Sequence, residues 1–299
     1  MAGQSQREIR RRIRSVQNTQ HITRAMQIVS AAKLRRVQGL VSAVAPFAGK
    51  LEEVLSGLAS VGQHPLLQER EVKRVAYVVI SADHGLAGGH SANVVEWAMQ
   101  VLGKEQHPYD LCVLGRRGGD LLRARGLSLD EVYEDVGDDI DWYDARQLAR
   151  RLRQSFSEDK VDAVYLVYMT FVNAMVHRPL VKRLLPVGML QGTEDRDGDV
   201  IFEPSPAEVL DVLLPRYVDT SLYMALLDAK CSEHGARMVA MRQATENAEE
   251  MIEALTLGFN QARQAGITRE ISEIVGGANA LAGTAEGQAY GDKGEQRWL

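Results

Sequence analysis

A long helical pattern runs through the C-terminal part of this chain, from Ser205 to about Ala282. The opening residues Ser205-Pro206-Ala207-Glu208 place a capping serine, a proline at the first helical position and a glutamate three residues after the cap. Apolar residues then recur at helical spacing, which predicts an amphipathic helix. Pro215 lies near its start, where we expect a kink or a short break.

The length of this helix decides how the chain can fold. At 1.5 Å per residue it would span roughly 110 Å. A compact globule of 299 residues has a radius of gyration of only about 19 Å. The helix is therefore predicted to project from any compact domain, and a projecting amphipathic helix needs a partner.

A second long helix is predicted at the other end of the chain, from Gln4 to about Leu58, with a bend near Pro46. Residues 4–58 hold ten Lys/Arg and three Glu, whereas residues 205–282 hold six Lys/Arg and eleven Asp/Glu. Opposite charge favours pairing of the two helices. Because both must emerge from the same intervening sequence, the pairing is predicted to be antiparallel.

Residues 59–204 change character and predict a small α/β domain that contains parallel strands. Short apolar runs of the buried-strand kind alternate with helical patterns. The predicted strands are Val75–Ile80, Leu111–Leu114 and Ala163–Met169, the predicted helices are His90–Leu102 and Asp144–Phe156, and a hairpin is predicted to join Leu184–Leu190 to Val200–Phe202. Four segments result: 1–58, 59–204, 205–282, and a polar, glycine-rich tail at 283–299 that is expected to be flexible.

Four local features leave more than one interpretation open. The glycine-rich stretch Asp83–His90 follows a strand and precedes a helix, as a dinucleotide-binding loop does, but it lacks the GxGxxG spacing and also suits a tight turn. Within it, His84 and His90 are candidate metal ligands without an evident third partner. The acidic stretch Glu131–Asp141, with Asp135, Asp138 and Asp139, suits either a cation site or a solvated loop. Arg7, Arg10–Arg12 and Arg14 suit either nucleic acid or a solvated, partner-facing helix.

The remaining composition excludes several classes of protein. Cys112 and Cys231 form no CxxC pair, so neither a disulfide framework nor a zinc site is indicated. The most apolar run, Val75–Ile80, is far shorter than the ~20 residues that a membrane-spanning helix needs. Any membrane association is therefore expected to come through partners.

Three groups of motifs carry a family resemblance. The N-terminal group is Ile9-Arg10, Ser15 to Gln20, Ile22-Thr23, Ala25-Met26 and Ala31-Ala32-Lys33. The middle group is Asp83, Gly85-Leu86, Gly88-Gly89, Asn93, Phe171-Val172-Asn173, Leu185-Pro186 and Glu203 to Pro206. The C-terminal group is Glu233-His234, Ala236 to Met241, Ala244-Thr245, Asn247-Ala248, Asn260, Ala262 to Ala265, Ile267-Thr268, Glu270-Ile271, Glu273 to Val275 and Gly277-Ala278. From residue 3 to about 282, the sequence resembles the gamma subunit of F-type (rotary) ATP synthases.

The resemblance implies a non-catalytic rotor. In that family the terminal helices form an antiparallel coiled-coil shaft, and a small Rossmann-like α/β domain lies at its foot. The implied partners are the alpha and beta subunits, the epsilon subunit and the membrane c-ring, with no nucleic acid. The implied location is the cytoplasmic face of a bacterial cell membrane, as a peripheral protein that reaches the membrane only through its partners.

The resemblance also implies roles for particular residues. Arg263 and Gln264 would meet a loop of a beta subunit, and Met26 would lie against the part of beta that moves. The foot loop, residues 83–89, would face epsilon and the c-ring through Asp83, Gly85, Leu86, Gly88 and Gly89. No catalytic residue, cofactor or metal ligand is expected, because the nucleotide sites of that family belong to beta.

Overall fold

The structure is a computed structural model that describes residues 2–58, 64–134, 141–188 and 203–291, with side chains described from residue 6 to residue 279. Its helices are α1 (Ala2–Leu58), α2 (His90–Leu102), α3 (Arg116–Ala124), α4 (Trp142–Ser157) and α5 (Pro206–Gly291). Its strands are β1 (Val75–Ile80), β2 (Tyr109–Leu114), β3 (Glu131–Tyr133), β4 (Ala163–Phe171) and β5 (His177–Leu185). A short 3-10 turn, Pro65–Leu67, precedes β1.

The chain forms two compact units, and α1 and α5 contribute residues to both. The terminal unit contains Met1–Arg24 and Gln243–Leu299, and the larger unit contains Ala25–Arg242. The whole sheet and helices α2, α3 and α4 lie in the larger unit.

In the terminal unit, α1 and α5 run antiparallel. Arg10 stacks on the ring of Phe259 at 5.2 Å, and the hydroxyls of Thr23 and Thr245 are hydrogen-bonded at 2.8 Å. A step of 13 residues along α1, from Arg10 to Thr23, thus matches a step of 14 along α5 in the opposite direction. Gln6 extends the pairing, since its side-chain nitrogen donates to the carbonyl of Ala262 at 3.1 Å. The predicted antiparallel arrangement is confirmed.

The larger unit contains a five-stranded sheet in the order β3-β2-β1-β4-β5. The first four strands are parallel, and β5 pairs antiparallel with β4 at the edge. All six residues of β1 are buried, since the strand is central and has helices on both faces. This arrangement is the Rossmann-like domain that the sequence and the resemblance predicted.

The two faces of the sheet pack into two apolar clusters. Val75, Tyr77 and Val79 of β1 lie with α2 and α3 in one cluster. The intervening side chains, among them Val78 and Ile80, lie with α4, α1 and α5 in the other. Alternate residues of a strand face opposite sides of a sheet, so β1 supplies both clusters.

Helix α5 supplies the largest side chains of the second cluster. Leu210, Leu214, Val218 and Leu222 follow one another at four-residue spacing and are all nearly inaccessible to solvent. Helix α1 contributes Leu34, Val37, Leu51, Leu55 and Leu58 to the same cluster. Both terminal helices are therefore part of the core that covers the sheet.

Most predicted elements are found close to their predicted bounds, and β1 and α2 begin and end at the predicted residues. Helix α5 is continuous through Pro215, so the alternative of a break there is wrong. It ends at Gly291 rather than near Ala282, so residues 283–291 of the predicted tail are helical. Helix α1 likewise continues through Pro46. Within the described ranges, no helix combines the length and apolarity needed to cross a bilayer.

The bounds predicted for the first strand of the hairpin were wrong. The strand is His177–Leu185 rather than Leu184–Leu190, and its partner is β4. Val200–Phe202, the partner that the sequence suggested, lies outside the described residues, as do Asp135, Asp138 and Asp139. Two elements were missed: α3, and β3 at the start of the predicted acidic loop.

The shared core makes a testable prediction about stability. Replacing the fully buried Leu222 by Ala is expected to lower the free energy of unfolding by about 2–5 kcal/mol, because it removes buried surface and leaves a cavity. Urea unfolding followed by tryptophan fluorescence measures this, since Trp142 packs edge-on against Tyr223 in the same cluster. Leu257→Ala, at a site that is 62% exposed, is the control. Equal effects of the two substitutions would contradict the packing described.

Candidate functional site

The foot loop joins the carboxyl end of β1 to the start of α2. Its centre is exposed: Gly85 and Leu86 face solvent, and Leu86 has 62% of its surface accessible. Leu86 also has a backbone φ of +62°, an uncommon conformation for a residue with a side chain. Contacts with the surrounding structure must therefore fix the ends of the loop to maintain this conformation.

The first part of the loop is fixed to the start of α3. The buried Asp83 accepts a hydrogen bond from the backbone N–H of Arg116 at 3.0 Å, and the carbonyl of Ala82 accepts one from Arg117 at 3.1 Å. The approach is close at Gly115, where an added Cβ would lie 2.4 Å from the carbonyl oxygen of Ser81. Gly115 also has a φ of +103°, so only glycine suits this position.

The second attachment comes from a buried charge cluster, formed by Lys230, Glu233 and Arg237 of α5 with Asp83. The Glu233 carboxylate lies 3.1 Å from the Lys230 ammonium and 2.8 Å from the Arg237 guanidinium, and Lys230 is 4.0 Å from Asp83. Arg237 also donates to the backbone carbonyls of His84 at 3.2 Å and Gly85 at 3.4 Å. The Arg237 side chain of α5 thus binds the backbone of the loop.

Burial and charge set the protonation states in this region. Burial alone would raise the pKa of Glu233, but Lys230 and Arg237 outweigh it, so its pKa lies below the usual value and the group is ionised at neutral pH. The neighbouring His90 is only 5% exposed. Burial lowers its pKa to about 4, against an opposing effect of Glu233. His90 is therefore neutral at pH 7.

This geometry favours a tight turn over a dinucleotide-binding loop. The space between α5 and the carboxyl ends of β1 and β2 is a cavity of about 10 Å³, lined by Ile80, Ser81, His90, Leu114, Leu226, Ala229, Lys230 and Glu233. That volume suits about one water molecule, whereas pockets for small molecules measure ~300 Å³ or more. Side chains of α5 thus fill the place where a dinucleotide fold binds its ligand.

The two histidines of the loop lie in different environments. His84 is exposed, whereas His90 is buried. Among the described residues, no three His, Cys, Asp or Glu side chains cluster as a metal site would require. The basic residues Arg10 and Arg12 of α1 contact Phe259 and Glu8 respectively, so part of the basic run is engaged within the terminal unit.

A parallel attachment holds the β4–β5 hairpin to α5. Asp228 accepts hydrogen bonds from the Thr170 hydroxyl at 2.6 Å and from the Phe171 backbone N–H at 2.9 Å. His177 and Ser232 are hydrogen-bonded at 2.9 Å. Gly235 allows the hairpin to approach α5 closely, since an added Cβ there would lie 3.1 Å from the rings of Phe171 and His177. One stretch of α5, residues 228–237, thus holds both the foot loop and the hairpin.

The residues that the resemblance singled out fall into two groups. Asp83 is buried and fixes the loop, whereas Gly85, Leu86, Gly88 and Gly89 are exposed. In the terminal unit Arg263 and Gln264 are exposed, and in the larger unit Met26 is half-buried. Lys230, Glu233 and Arg237 were not predicted, although charges at i, i+3 and i+7 within a strongly apolar part of α5 are a signal for buried ion pairs.

Comparison with known proteins places this architecture. Two long terminal helices, with a Rossmann-like domain between them in the sequence, are the architecture of a stalk subunit, and the ATP synthase family profile matches residues 5–281. The ATP synthase gamma chain of Moorella thermoacetica is 50% identical over 278 residues, 92% of this chain and 98% of the relative. That of Pelotomaculum thermopropionicum is 46% identical over 93% of this chain and 99% of its own length.

Solved structures agree on the fold. A chain of the Euglena gracilis mitochondrial ATP synthase assembly of OSCP, F1 and c-ring has a TM-score of 0.68 at 18% identity, over 94% of this chain and 96% of its own. A chain of the Tetrahymena thermophila mitochondrial ATP synthase central stalk and c-ring has a TM-score of 0.57 at 22% identity, over 75% and 99%. This chain belongs to the ATP synthase gamma chain family, which makes it a central-stalk rotor subunit.

The attachment through Arg237 can be tested by hydrogen exchange. Arg237→Ala removes the ion pair with Glu233 and the hydrogen bonds to the loop carbonyls. It is therefore expected to lower the free energy of unfolding by about 3–5 kcal/mol and to speed amide exchange in residues 83–90. Arg269→Ala, at an exposed site on α5, should leave both unchanged. Unchanged exchange in Arg237→Ala would show that the loop is held by other contacts.

Burial of neutral His90 predicts a pH dependence of stability. Because its pKa is lowered to about 4 in the folded chain, the His90 imidazole binds more protons in the unfolded chain between about pH 6.5 and 4. Its contribution to the free energy of unfolding therefore falls as the pH falls through that window. Between pH 7.5 and 5 this group should remove about 2 kcal/mol of unfolding free energy. His90→Leu should remove that part of the loss, as measured by urea unfolding at both pH values. An identical loss in the variant would assign the effect to other groups.

Proposed function

We propose that this chain is the shaft of a rotary ATP synthase, coupling ion flow through the membrane sector to ATP synthesis or hydrolysis in a ring of alpha and beta subunits. The observation that carries the proposal is the 50% identity to a gamma chain, which extends over nearly the whole of both sequences. The catalytic nucleotide sites are assigned to beta. This chain contributes shape and contacts rather than chemistry.

The surface of the terminal unit supports a partner around the helix pair. Large apolar side chains there are exposed, which is costly unless a partner covers them. They are Ile22, Met251, Leu257, Ile267, Ile271, Ile274 and Val275. A ring of alpha and beta subunits would cover such a surface on all sides.

Contact with beta is assigned to Arg263 and Gln264, with Met26 against the part of beta that moves. Arg263 and Gln264 are exposed, so both can reach a partner. The guanidinium group of Arg263 can form two parallel hydrogen bonds with a carboxylate, which a lysine cannot. Ile28 and Val29, which follow Met26 closely, are also exposed and extend an apolar contact there.

The foot loop is assigned to contact epsilon and the c-ring through Gly85, Leu86, Gly88 and Gly89. The buried charge cluster supports this role, since a loop that receives torque must not yield when pushed. Lys230, Glu233 and Arg237 attach the loop to α5, and α5 must carry the torque along its length.

The proposed mechanism is a sequence of unequal contacts. An asymmetric shaft presents a different face to each of three otherwise identical beta subunits as it turns. Shifting one subunit from 1:99 to 99:1 between two states requires a differential contact free energy of about 5.5 kcal/mol. A long two-helix surface with exposed apolar and charged residues can supply it. The chain would reside at the cytoplasmic face of the cell membrane as a peripheral protein, held through its partners.

Reconstitution tests the proposal most simply. The full chain, mixed with alpha and beta subunits, is expected to form a complex that hydrolyses ATP, with activity dependent on this chain. The purified chain alone should hydrolyse none. A rival function, an isolated coiled-coil adaptor, would instead give a stable complex with other proteins that excludes alpha and beta. Equal ATPase with and without the chain would overturn the rotor proposal.

Substitution of Arg263 tests the assigned contact with beta. Arg263→Ala is expected to reduce ATP synthesis and hydrolysis in the assembled complex by at least about fivefold, the equivalent of a lost contact of about 1 kcal/mol or more. Because Arg263 is exposed, the chain should fold normally. Arg269→Ala, exposed on the same helix, is the matched control. Unchanged rates for Arg263→Ala would refute the contact.

A further inference from the structure

One face of α4 gathers three arginines around an open depression. Its lining residues are Tyr143, Arg146, Gln147, Arg150 and Arg153, and its volume is about 350 Å³. The arginines are four and three residues apart, which places them on one side of the helix. Asp144, the acidic residue of the first turn, points roughly to the opposite side at 3.6 residues per turn.

The positive charge of this depression exceeds the negative charge paired with it. Asp219 of α5, which is only 2% exposed, accepts a hydrogen bond from Arg153 at 2.9 Å and lies 3.7 Å from Arg146. Arg216 also lies close enough to stabilise the ionised form of Asp219. Within the described ranges, Asp219 thus pairs with two of the three arginines that line the depression.

Arg150 stands out within this group. It is exposed at the depression and makes no hydrogen bond or ion pair with any other residue in the described ranges. Asp219 forms ion pairs with both Arg153 and Arg146, so the arginines on either side of Arg150 are held in place by a buried residue. The result is a partly ordered cationic surface whose Arg150 donors are used by no residue that the structure describes.

We propose that this depression binds the polyphosphate group of a soluble small molecule, held by Arg146, Arg150 and Arg153. Guanidinium groups bind phosphate oxygens in pairs, and adjoining phosphates carry the several negative charges that several arginines can match. The volume falls within the range of small-molecule sites. This site lies outside the foot loop and is not required by the proposed rotor function.

Calorimetric titration of the full chain with inorganic pyrophosphate, at fixed ionic strength, tests the site. We expect saturable binding at one site per chain, weakened about tenfold by Arg150→Ala because one charge-assisted contact is lost. Arg150→Lys should bind with intermediate affinity, since it keeps the charge and loses the fork. Because Arg150 is exposed and without a partner in the described chain, both variants should fold, as circular dichroism can verify.

Control titrations separate this site from diffuse charge and from other anions. Arg123→Ala, on α3, removes an arginine that is 51% exposed and does not line the depression, and it should change the affinity less than twofold. Titration with a nucleoside triphosphate and with monophosphate distinguishes the source of the group, and polyphosphates should bind more tightly than monophosphate. Absent pyrophosphate binding, equal weakening by Arg123→Ala, or binding only to anionic phospholipid vesicles or to an acidic peptide would each overturn the proposal.

Discussion

The larger unit depends on one apolar core that α1, α5 and a face of the sheet build together. Leu214, Val218 and Leu222 of α5 are completely buried in it, and Leu55 and Leu58 of α1 complete it. A helix that packs this well cannot slide or turn against the sheet without exposing apolar surface, at about 25 cal/mol per Å². The parts of α1 and α5 that lie in the larger unit are thus structural parts of its domain.

Polar groups add specificity to this core. Apolar packing tolerates small shifts, whereas the buried charge cluster requires Arg237 to meet both Glu233 and the carbonyls of the foot loop. Asp228 and Ser232 fix the β4–β5 hairpin in a similar way from the same stretch of α5. Separating any of these pairs would leave a charge or a donor buried without its partner, which is costly. The loop and the hairpin are therefore placed at defined positions along the helix, which suits a part that must transmit force.

The sequence predicted the elements whose signals are local. β1 is a continuous apolar run and α2 is bounded by glycines, so both were placed correctly. Helix α3 was missed because Gly118 and Gly119 suggest a loop; an added Cβ at Gly118 would lie 2.5 Å from the Ser81 side chain, so close packing explains that glycine. Strand β5 was misplaced because it is an edge strand, where Pro179 is tolerated. The buried charge cluster joins Asp83 to residues far along the chain, and periodicity carries no information about such pairs. The family was predicted from its sequence motifs, and not from hydrophobic periodicity or charge.

A rotor subunit of this kind is expected to turn with its foot loop attached to α5. The direct measurement is single-molecule rotation: alpha and beta subunits are immobilised, this chain is assembled with them, and a bead is coupled to a cysteine introduced as Leu86→Cys on the exposed foot loop. Stepwise, unidirectional rotation of the bead is expected when ATP is added. ATP hydrolysis by the same complexes with a stationary bead would contradict it.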